Sequence, residues 1–225
     1  VGIGFSGQAL GGALWPPVFE RYIELIGWRE TAFWYGVLAF VVMLVCAVPL
    51  FRRPPEAVEV EKPTGSAEPA TPHPFHVKSL QFSLSTAIVG CCISMSMPLA
   101  HIVAWVSDLG YSSARGAEML SVILLSAAVS SFAGVGPFAQ RYGGLRTLFA
   151  FSLLQALMLA LLAIVDNLIA LYVVSALFGF GYGGILPSYP VIVREFMPAA
   201  ESGRRTGVVL LFAGVGMAIG AWFGG

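Results

Sequence analysis

PPEAVEVEKPTGSAEPATPHPFHVKSL, residues 54–80, is the one long polar stretch of this sequence, and it divides the chain into two parts. It contains six prolines and four glutamates, and almost no large apolar residue precedes Phe75. A segment of this composition cannot bury enough apolar surface to offset the entropy lost on ordering. We therefore predict a flexible, solvated linker, with two apolar spans before it and five after it.

The composition on both sides of the linker is that of a membrane protein. The chain has 225 residues, of which 57% are hydrophobic and 11% are charged, whereas a soluble domain has about 25% charged residues. The mean hydropathy is +0.83. The apolar runs are continuous and longer than the alternating segments of roughly 10 residues that build a membrane β-barrel. We predict an all-α polytopic membrane protein, and the net charge of zero gives no indication of a nucleic-acid partner.

Seven apolar spans are each near the ~20 residues that a helix needs to cross the hydrocarbon core of a bilayer. We predict that residues 1–51 end one helix bundle, that 52–81 form the linker, and that 82–225 form a second bundle. Because Val1 is not a start methionine and both ends lie in apolar runs, we expect an internal part of a longer protein. The spans are residues 1–19, 31–51, 82–106, 118–139, 147–165, 168–192 and 206–225.

Basic residues in the loops predict the orientation. If the linker lies inside, the inner loops hold nine Lys and Arg residues and the outer loops hold three. This excess follows the positive-inside rule, so we predict a multi-pass protein of the plasma (inner) membrane with a cytoplasmic linker. Within the spans the sole charged side chain is Glu118, at an outer edge. Charge inside a bilayer is costly and usually functional, so we expect no charged binding group deep in these spans.

Two spans carry a stripe of small or polar residues at helical spacing, which is typical of a helix that faces a cavity. In the third span this stripe includes Ser94 and His101, the one titratable side chain well inside a span. In the sixth span, which is rich in glycine and interrupted by proline, it includes Tyr182 and Tyr189. We predict that these four residues face a substrate path, together with the polar Gln8 of the first span.

His101 has two interpretations, and the sequence leaves both open. The ring can be neutral and hydrogen-bonded to a neighbouring helix, or it can contact a substrate or a coupling proton in a cavity. Neither a nucleophile–base pair nor a cluster of metal ligands accompanies His101 in the spans. We therefore predict no enzyme activity, no catalytic residue, no cofactor and no metal site.

Glycine series in two spans indicate close helix packing. Residues 2–7 match the pattern G-x-G-x-x-G, but a dinucleotide site needs a preceding strand and a following soluble helix, and neither is expected here. We interpret both series as faces on which another helix approaches. They are Gly4, Gly7 and Gly11 in the first span and Gly216, Gly220 and Gly224 in the last.

The loop GPFAQRYGGLR, residues 136–146, resembles the short cytoplasmic loop G-x-x-x-D-R-x-G-R-R of major facilitator superfamily transporters. Here Gln140 replaces the family's acid, and Gly144 replaces a basic residue. The long linker between two blocks of spans is also similar to that family. The tripeptide at residues 27–29, Gly-Trp-Arg, after a glycine-rich span that ends in prolines resembles its monocarboxylate and oxalate–formate branch. The resemblance implies a cytoplasmic gating loop formed by Gly136, Gln140, Arg141, Gly143 and Arg146.

This resemblance covers the whole chain and implies a partial major facilitator-type fold, with the seven spans as helices five to eleven of twelve. It implies secondary transport of a small solute, such as a small organic anion or monocarboxylate, by symport or antiport with protons as a candidate coupling ion. It also implies that the third and sixth spans line the central cavity. Carboxylate-transporting relatives often carry a basic residue on the helix corresponding to residues 118–139, where this chain has Phe132.

Two alternatives to carboxylate transport remain open. The uncharged, aromatic character of the predicted cavity would suit a transporter that exports hydrophobic compounds. A membrane receptor or scaffold, which moves no solute, is an alternative from a different functional class. For a transporter the expected partners are a small-molecule solute and the lipid bilayer.

Overall fold

The computed structural model describes residues 2–48, 77–198 and 201–224, and these are almost entirely helical. A π-helical turn, Ser130–Gly134, joins α4 to α5 without a break. The predicted all-α fold is confirmed. The helices are α1 (Gly2–Ile26), α2 (Trp28–Ala47), α3 (Val77–Asp108), α4 (Ser113–Val129), α5 (Val135–Tyr142), α6 (Gly144–Leu162), α7 (Leu168–Phe196) and α8 (Ser202–Phe223).

Six helical stretches in the described residues are long and apolar enough to cross a membrane. They correspond to the last six of the seven predicted spans. The first predicted span, residues 1–19, lies in α1, whose 25 residues include Gln8 and two prolines that lower its hydropathy. The six stretches are Trp28–Ala47, Val77–Asp108, Ser113–Phe132, Gly144–Leu162, Leu168–Phe196 and Ser202–Phe223.

Most of the predicted linker, residues 52–76, lies outside the described residues. Its last five residues, 77–81, are helical, because α3 begins at Val77. Val77, Leu80 and Leu84 recur at helical spacing and pack on the hydrophobic core. The helical periodicity of α3 therefore begins at Val77, five residues before the apolar run that was used to predict the start of this helix at residue 82.

The chain divides into two compact units, one of residues 1–18 and 74–225 and the other of residues 19–73. In the second unit, Gly27 separates α1 from α2 with φ of 83°, a conformation that favours glycine. The Thr31 hydroxyl donates to the Gly27 carbonyl at 2.8 Å, and the Phe19 and Tyr35 rings pack edge to face with centroids 4.7 Å apart. These contacts stabilise a tight connection between the two helices.

In the first unit, α7 lies at the centre. It packs on α6 and α4, while α3 packs mainly on α8 and α4. α7 supplies the largest buried side chains of this core, because apolar residues occur all around its surface and not on one face alone. The large side chains of α7 that are fully buried are Leu171, Phe178, Ile185, Tyr189, Ile192 and Val193.

Four glycines allow α7 to approach two neighbours at once. A Cβ at Gly179 or Gly183 would overlap the backbone of α4, and a Cβ at Gly181 or Gly184 would overlap α6. Backbone atoms cannot rotate away as a flexible side chain can, so glycine is required at residues 179, 181 and 183, where an added Cβ would meet backbone. Gly184 differs, because an added Cβ there would meet the ring of Phe151. The glycine-rich part of α7 is therefore a packing element that fixes the distance of α7 from α4 and α6.

The predicted glycine face of the last span is confirmed. A Cβ at Gly216 would lie 2.7 Å from the Val89 carbonyl oxygen, and one at Gly220 would overlap the backbone of α3. Gly224 faces the His101 ring in the same way. α8 and α3 thus pack along three successive turns of small residues.

The predicted close approach at the first glycine series is not found within the described residues. A Cβ at Gly4, Gly7 or Gly11 would meet no atom within 4 Å. Gly12 faces a different direction and lies against Leu124, 3.0 Å from its side chain measured from an added Cβ. The spacing identified a face of α1 made of small residues, but another face of α1 is the one on which a neighbouring helix packs.

Candidate functional site

Two of the predicted path residues, Gln8 and Tyr182, meet in one narrow cleft between α1, α4 and α7. The cleft has a volume of about 10 Å³, which is on the scale of a single water molecule. Its lining comes from helices that are distant in sequence. The lining residues are Phe5, Gln8, Ala9, Ala127, Ser131, Tyr182, Gly183, Leu186 and Pro187.

Helical periodicity explains why these residues share the cleft. Each helix contributes residues three or four positions apart, which lie one above another on a single face. Because Gly183 has no side chain, α7 lies directly against the backbone of Ala127. The close approach makes the cleft narrow. The contributing sets are Phe5, Gln8 and Ala9 on α1, Ala127 on α4 with Ser131 on the π-helical turn that continues it, and Tyr182, Gly183, Leu186 and Pro187 on α7.

The cleft offers hydrogen-bonding groups without formal charge. Gln8 supplies an amide that donates and accepts, and Tyr182 and Ser131 supply hydroxyls. Gln8 is exposed, whereas Tyr182 is buried except for 9% of its surface. The other side chains are apolar. The arrangement can therefore bind a polar group through hydrogen bonds and an apolar group by contact, and it holds no basic group for an ion pair.

Tyr189 and Ser94 lie away from this cleft. Tyr189 is fully buried beside the thiols of Cys91 and Cys92. Ser94 is half-buried and donates to the Gly90 carbonyl of its own helix at 3.1 Å. The structure thus groups Gln8 with Tyr182 and leaves Tyr189 and Ser94 in separate environments.

His101 lies in a different and larger cavity of about 470 Å³, formed by α3, α6 and Gly224. Its Nε2 atom is 2.8 Å from the carbonyl oxygen of Ala221 in α8. Because a carbonyl only accepts, the ring nitrogen is the donor. This hydrogen bond to a neighbouring helix agrees with the first of the two interpretations of His101, in which the ring has a packing role. The cavity is lined by Met97, Pro98, His101, Ile102, Ala104, Trp105, Asp108, Leu159, Leu162, Ala163 and Gly224.

The predicted gating loop is mostly helical: it comprises most of α5, a tight turn at Gly143 and the first residues of α6. Gly143 has φ of 83°, which favours glycine. The Arg141 guanidinium carbon lies 5.7 Å from the centroid of the Tyr142 ring, within the range of a cation–π contact. The loop therefore presents polar groups at one end of the bundle. Its exposed members are Gly136, Gln140, Arg141 and Arg146.

Sequence reasoning missed the carboxylate that binds this loop. Glu195, in the last turn of α7, accepts the backbone N–H of Gly144 with both oxygens, at 3.1 and 3.0 Å. Gly144 is the first residue of α6, and Gly143 at the N-cap has no side chain to accept that N–H. A glycine at the N-cap was the available sequence signal, because the N–H groups at the start of α6 then need an acceptor from another part of the chain.

A second cluster joins α4 to α7 at the other end of these helices. Arg115 donates to Glu118 at 3.1 Å, and the Tyr172 hydroxyl donates to the same carboxylate oxygen. Glu118, the one acid predicted within a span, is thus paired with both a cation and a hydroxyl. Phe132, at the position that the resemblance compares with a basic residue of carboxylate transporters, is 66% exposed.

Comparison with known proteins supports a family assignment. A family model described as Major Facilitator Superfamily matches residues 1–221. The "MFS transporter asaE" of Aspergillus flavus is 26% identical over 94% of this chain and 47% of its own length. "Monocarboxylate transporter 13" of Rattus norvegicus is 23% identical over 98% of this chain and 51% of its own length. The "Agnestins efflux protein AgnL12" of Paecilomyces divaricatus is 22% identical over 98% and 49%. The chain spans about half the length of the curated relatives it matches.

Proposed function

Because this chain belongs to the major facilitator superfamily, we propose that it forms part of a secondary transporter that moves a small organic solute across a membrane. In transporters built from repeated bundles, substrate sites lie near the bilayer midplane and the two halves rock about them. This chain would supply the end of the first bundle, the cytoplasmic linker and most of the second bundle. The solute would reach its site alternately from the two sides of the membrane.

The cleft of Gln8 and Tyr182 carries this proposal. Both residues are polar members of apolar spans, and the sequence alone predicts that they face a substrate path. They belong to helices that precede and follow the predicted linker, so a residue from each block of spans contributes to one cleft. A site shared by the two blocks is what alternating access requires. Movement of the blocks would widen a cleft that now has room for about one water molecule.

The two polar side chains would bind the solute through hydrogen bonds. The Gln8 amide can donate to a carboxylate or accept from a hydroxyl, and the Tyr182 hydroxyl can do either. Phe5 and Leu186 would contact the apolar part of the solute. Bound in this way, a small organic anion such as a monocarboxylate would be held by neutral donors and not by an ion pair.

Export of hydrophobic compounds is the second candidate, and the uncharged lining of the cleft favours it. A site without a basic residue does not select for an anion, and its apolar contacts suit an uncharged solute. The family members with matching sequences carry names of both kinds, a monocarboxylate transporter and an efflux protein. The two candidates differ in the charge of the solute.

The test is transport by the full-length protein that contains this chain, purified and reconstituted in liposomes. Labelled small monocarboxylates and an uncharged aromatic dye would be offered separately, with and without an inward proton gradient. Tyr182→Phe and Gln8→Leu would be compared with Tyr22→Phe, which alters an exposed tyrosine of α1. Folding of every variant would be checked by size-exclusion chromatography and thermal unfolding.

The outcomes separate the proposals. Accumulation of the carboxylate that both cleft variants reduce would support an organic-anion transporter. Flux of the dye alone, with the same sensitivity, would support hydrophobic efflux. Binding of a small molecule without flux would instead favour a receptor. Transport that neither cleft variant changes would overturn the assignment of the cleft.

A further inference from the structure

Pro187, on the wall of the cleft, leaves one backbone carbonyl of α7 without its helical partner. In an α-helix each N–H donates to the carbonyl four residues earlier, and proline has no N–H. The carbonyl that Pro187 would have bonded belongs to Gly183, which also lines the cleft. In a bilayer an unsatisfied backbone group costs several kcal/mol, so this carbonyl needs another donor.

That donor is Ser131. Its hydroxyl donates to the Gly183 carbonyl oxygen at 2.6 Å, across the interface between α4 and α7. Ser131 is 3% exposed, so water does not compete for the bond. The bond depends on the glycine, because a Cβ at residue 183 would overlap the backbone of Ala127, one turn before Ser131. The absence of a side chain at Gly183 thus lets the Ser131 hydroxyl reach the carbonyl that the absence of an N–H at Pro187 leaves unpaired.

The backbone around Ser131 is also unusual. Ser131 is the second residue of the π-helical turn Ser130–Gly134. Such turns are rare, and they often occur at functional sites. Here the turn and the proline lie beside each other on two packed helices, and the Ser131–Gly183 bond joins them. The residue before Gly183 is Tyr182, so the bond fixes the backbone next to the cleft's tyrosine.

We propose that Ser131 is a positioning residue of the cleft, whose hydroxyl replaces the N–H that Pro187 lacks and so holds Tyr182 opposite Gln8. The role of Tyr182 in binding solute rests on the proposed function, whereas the replacement of the N–H does not. Ser131 acts through the backbone of α7. Its removal would leave the Gly183 carbonyl buried and unpaired and free α7 to shift beside the cleft.

A double-mutant cycle tests the replacement directly. Ser131→Ala should lower the melting temperature of the full-length protein by roughly 1–2 °C. Loss of roughly one hydrogen bond shifts a protein of 150–250 residues by about 2–4 °C, and the shift becomes smaller as the chain becomes longer. Pro187→Ala restores an N–H to the Gly183 carbonyl. In the Pro187→Ala variant, the further change Ser131→Ala should therefore lower the melting temperature only slightly. Equal losses in the two backgrounds would overturn the proposal.

Ser130→Ala is the matched control. Ser130 is the neighbouring serine, it is fully buried, and its hydroxyl has no partner in the described part of the chain. Its removal should leave the melting temperature unchanged or raise it, because no hydrogen bond is lost. A loss equal to that of Ser131→Ala would mean that any serine at this turn is needed and would overturn the assignment of Ser131.

Transport kinetics test the positioning of Tyr182. Ser131→Ala should raise KM with little change in maximal rate, and Pro187→Ala should restore KM in the double variant. An unchanged KM would overturn the positioning role. If the cycle in melting temperature shows the expected coupling and the protein carries no solute, the proposed function has failed and the Ser131–Pro187 relationship stands. These two failures are therefore distinguishable.

Discussion

The carboxylate of Glu195 caps the helix that Gly144 begins, with both oxygens within 3.1 Å of the Gly144 backbone nitrogen. The contact joins the end of α7 to the start of α6, across 51 residues of sequence. Helix N-termini carry a partial positive charge and unpaired N–H groups, and an anion satisfies both. Glu195 therefore stabilises the loop that the family resemblance singled out, although it lies outside that loop.

Glu195→Ala should lower the free energy of unfolding by about 1 kcal/mol, the usual cost of losing a capping group. Glu195→Gln keeps an acceptor but loses the charge, so its loss should be smaller. Both can be measured as melting temperatures of the purified protein. Glu24→Gln, which changes an exposed acid of α1, serves as the control. If the three variants unfold at the wild-type temperature, the capping contact does not stabilise the bundle.

The glycine face between α8 and α3 gives a second prediction. Gly216→Ala places a methyl group within 3.0 Å of the Val89 backbone and the Cys92 side chain. Overpacking of this kind typically costs about 1–3 kcal/mol. Gly214→Ala, two residues away on the same helix, meets open space. It should be neutral or slightly stabilising, because alanine is the better helix former by roughly 1 kcal/mol.

Thermal unfolding of these two variants separates the cost of the α3–α8 contact from the effect of helix propensity, because both variants replace glycine by alanine in the same helix. A lower melting temperature for Gly216→Ala alone is the expected result. Equal shifts would show that the cost comes from helix propensity and not from the α3–α8 contact.

The cleft residues give a third prediction, on transport. Tyr182→Phe removes one hydroxyl from the cleft and leaves the ring in place. Loss of one hydrogen bond to a solute should raise KM by roughly 3- to 10-fold. The maximal rate should change less than KM, because the ring still fills its place between the helices. Initial rates over a range of solute concentrations, with Tyr22→Phe measured in parallel, provide the comparison.

The sequence predicted the helices well because their signal is local. Continuous apolar runs and loop composition identify a membrane span without reference to any neighbour. The face formed by Gly216, Gly220 and Gly224 was found for the same reason, since its spacing lies within one helix. The start of α3 was placed five residues late because Val77 and Leu80 lie among polar residues, where apolar density is low although the periodicity is present.

Contacts between helices could not be predicted in the same way. Tyr182 and Tyr189 share a stripe of α7, yet one lines the cleft and the other is buried beside Cys91 and Cys92. Helical spacing predicts on which side of the helix a residue lies. It does not predict which neighbouring helix packs against that side at a given position along the helix axis. The capping by Glu195 was missed because it joins residues distant in sequence, and nothing local to residue 195 indicates its partner.

His101 gives the last prediction, because its bond to Ala221 separates a packing role from a proton-coupling role. His101→Ala removes the donor at 2.8 Å from the Ala221 carbonyl and should lower the melting temperature of the full-length protein by roughly 1–2 °C. His101→Gln keeps an N–H donor and should retain most of the stability. Glutamine does not titrate, so transport measured against pH distinguishes the two roles. A pH profile that His101→Gln leaves unchanged means that the ring serves as a donor to α8. A profile that loses its pH dependence in His101→Gln, at wild-type stability, means that protonation of the ring is part of transport, the second of the two interpretations that the sequence leaves open.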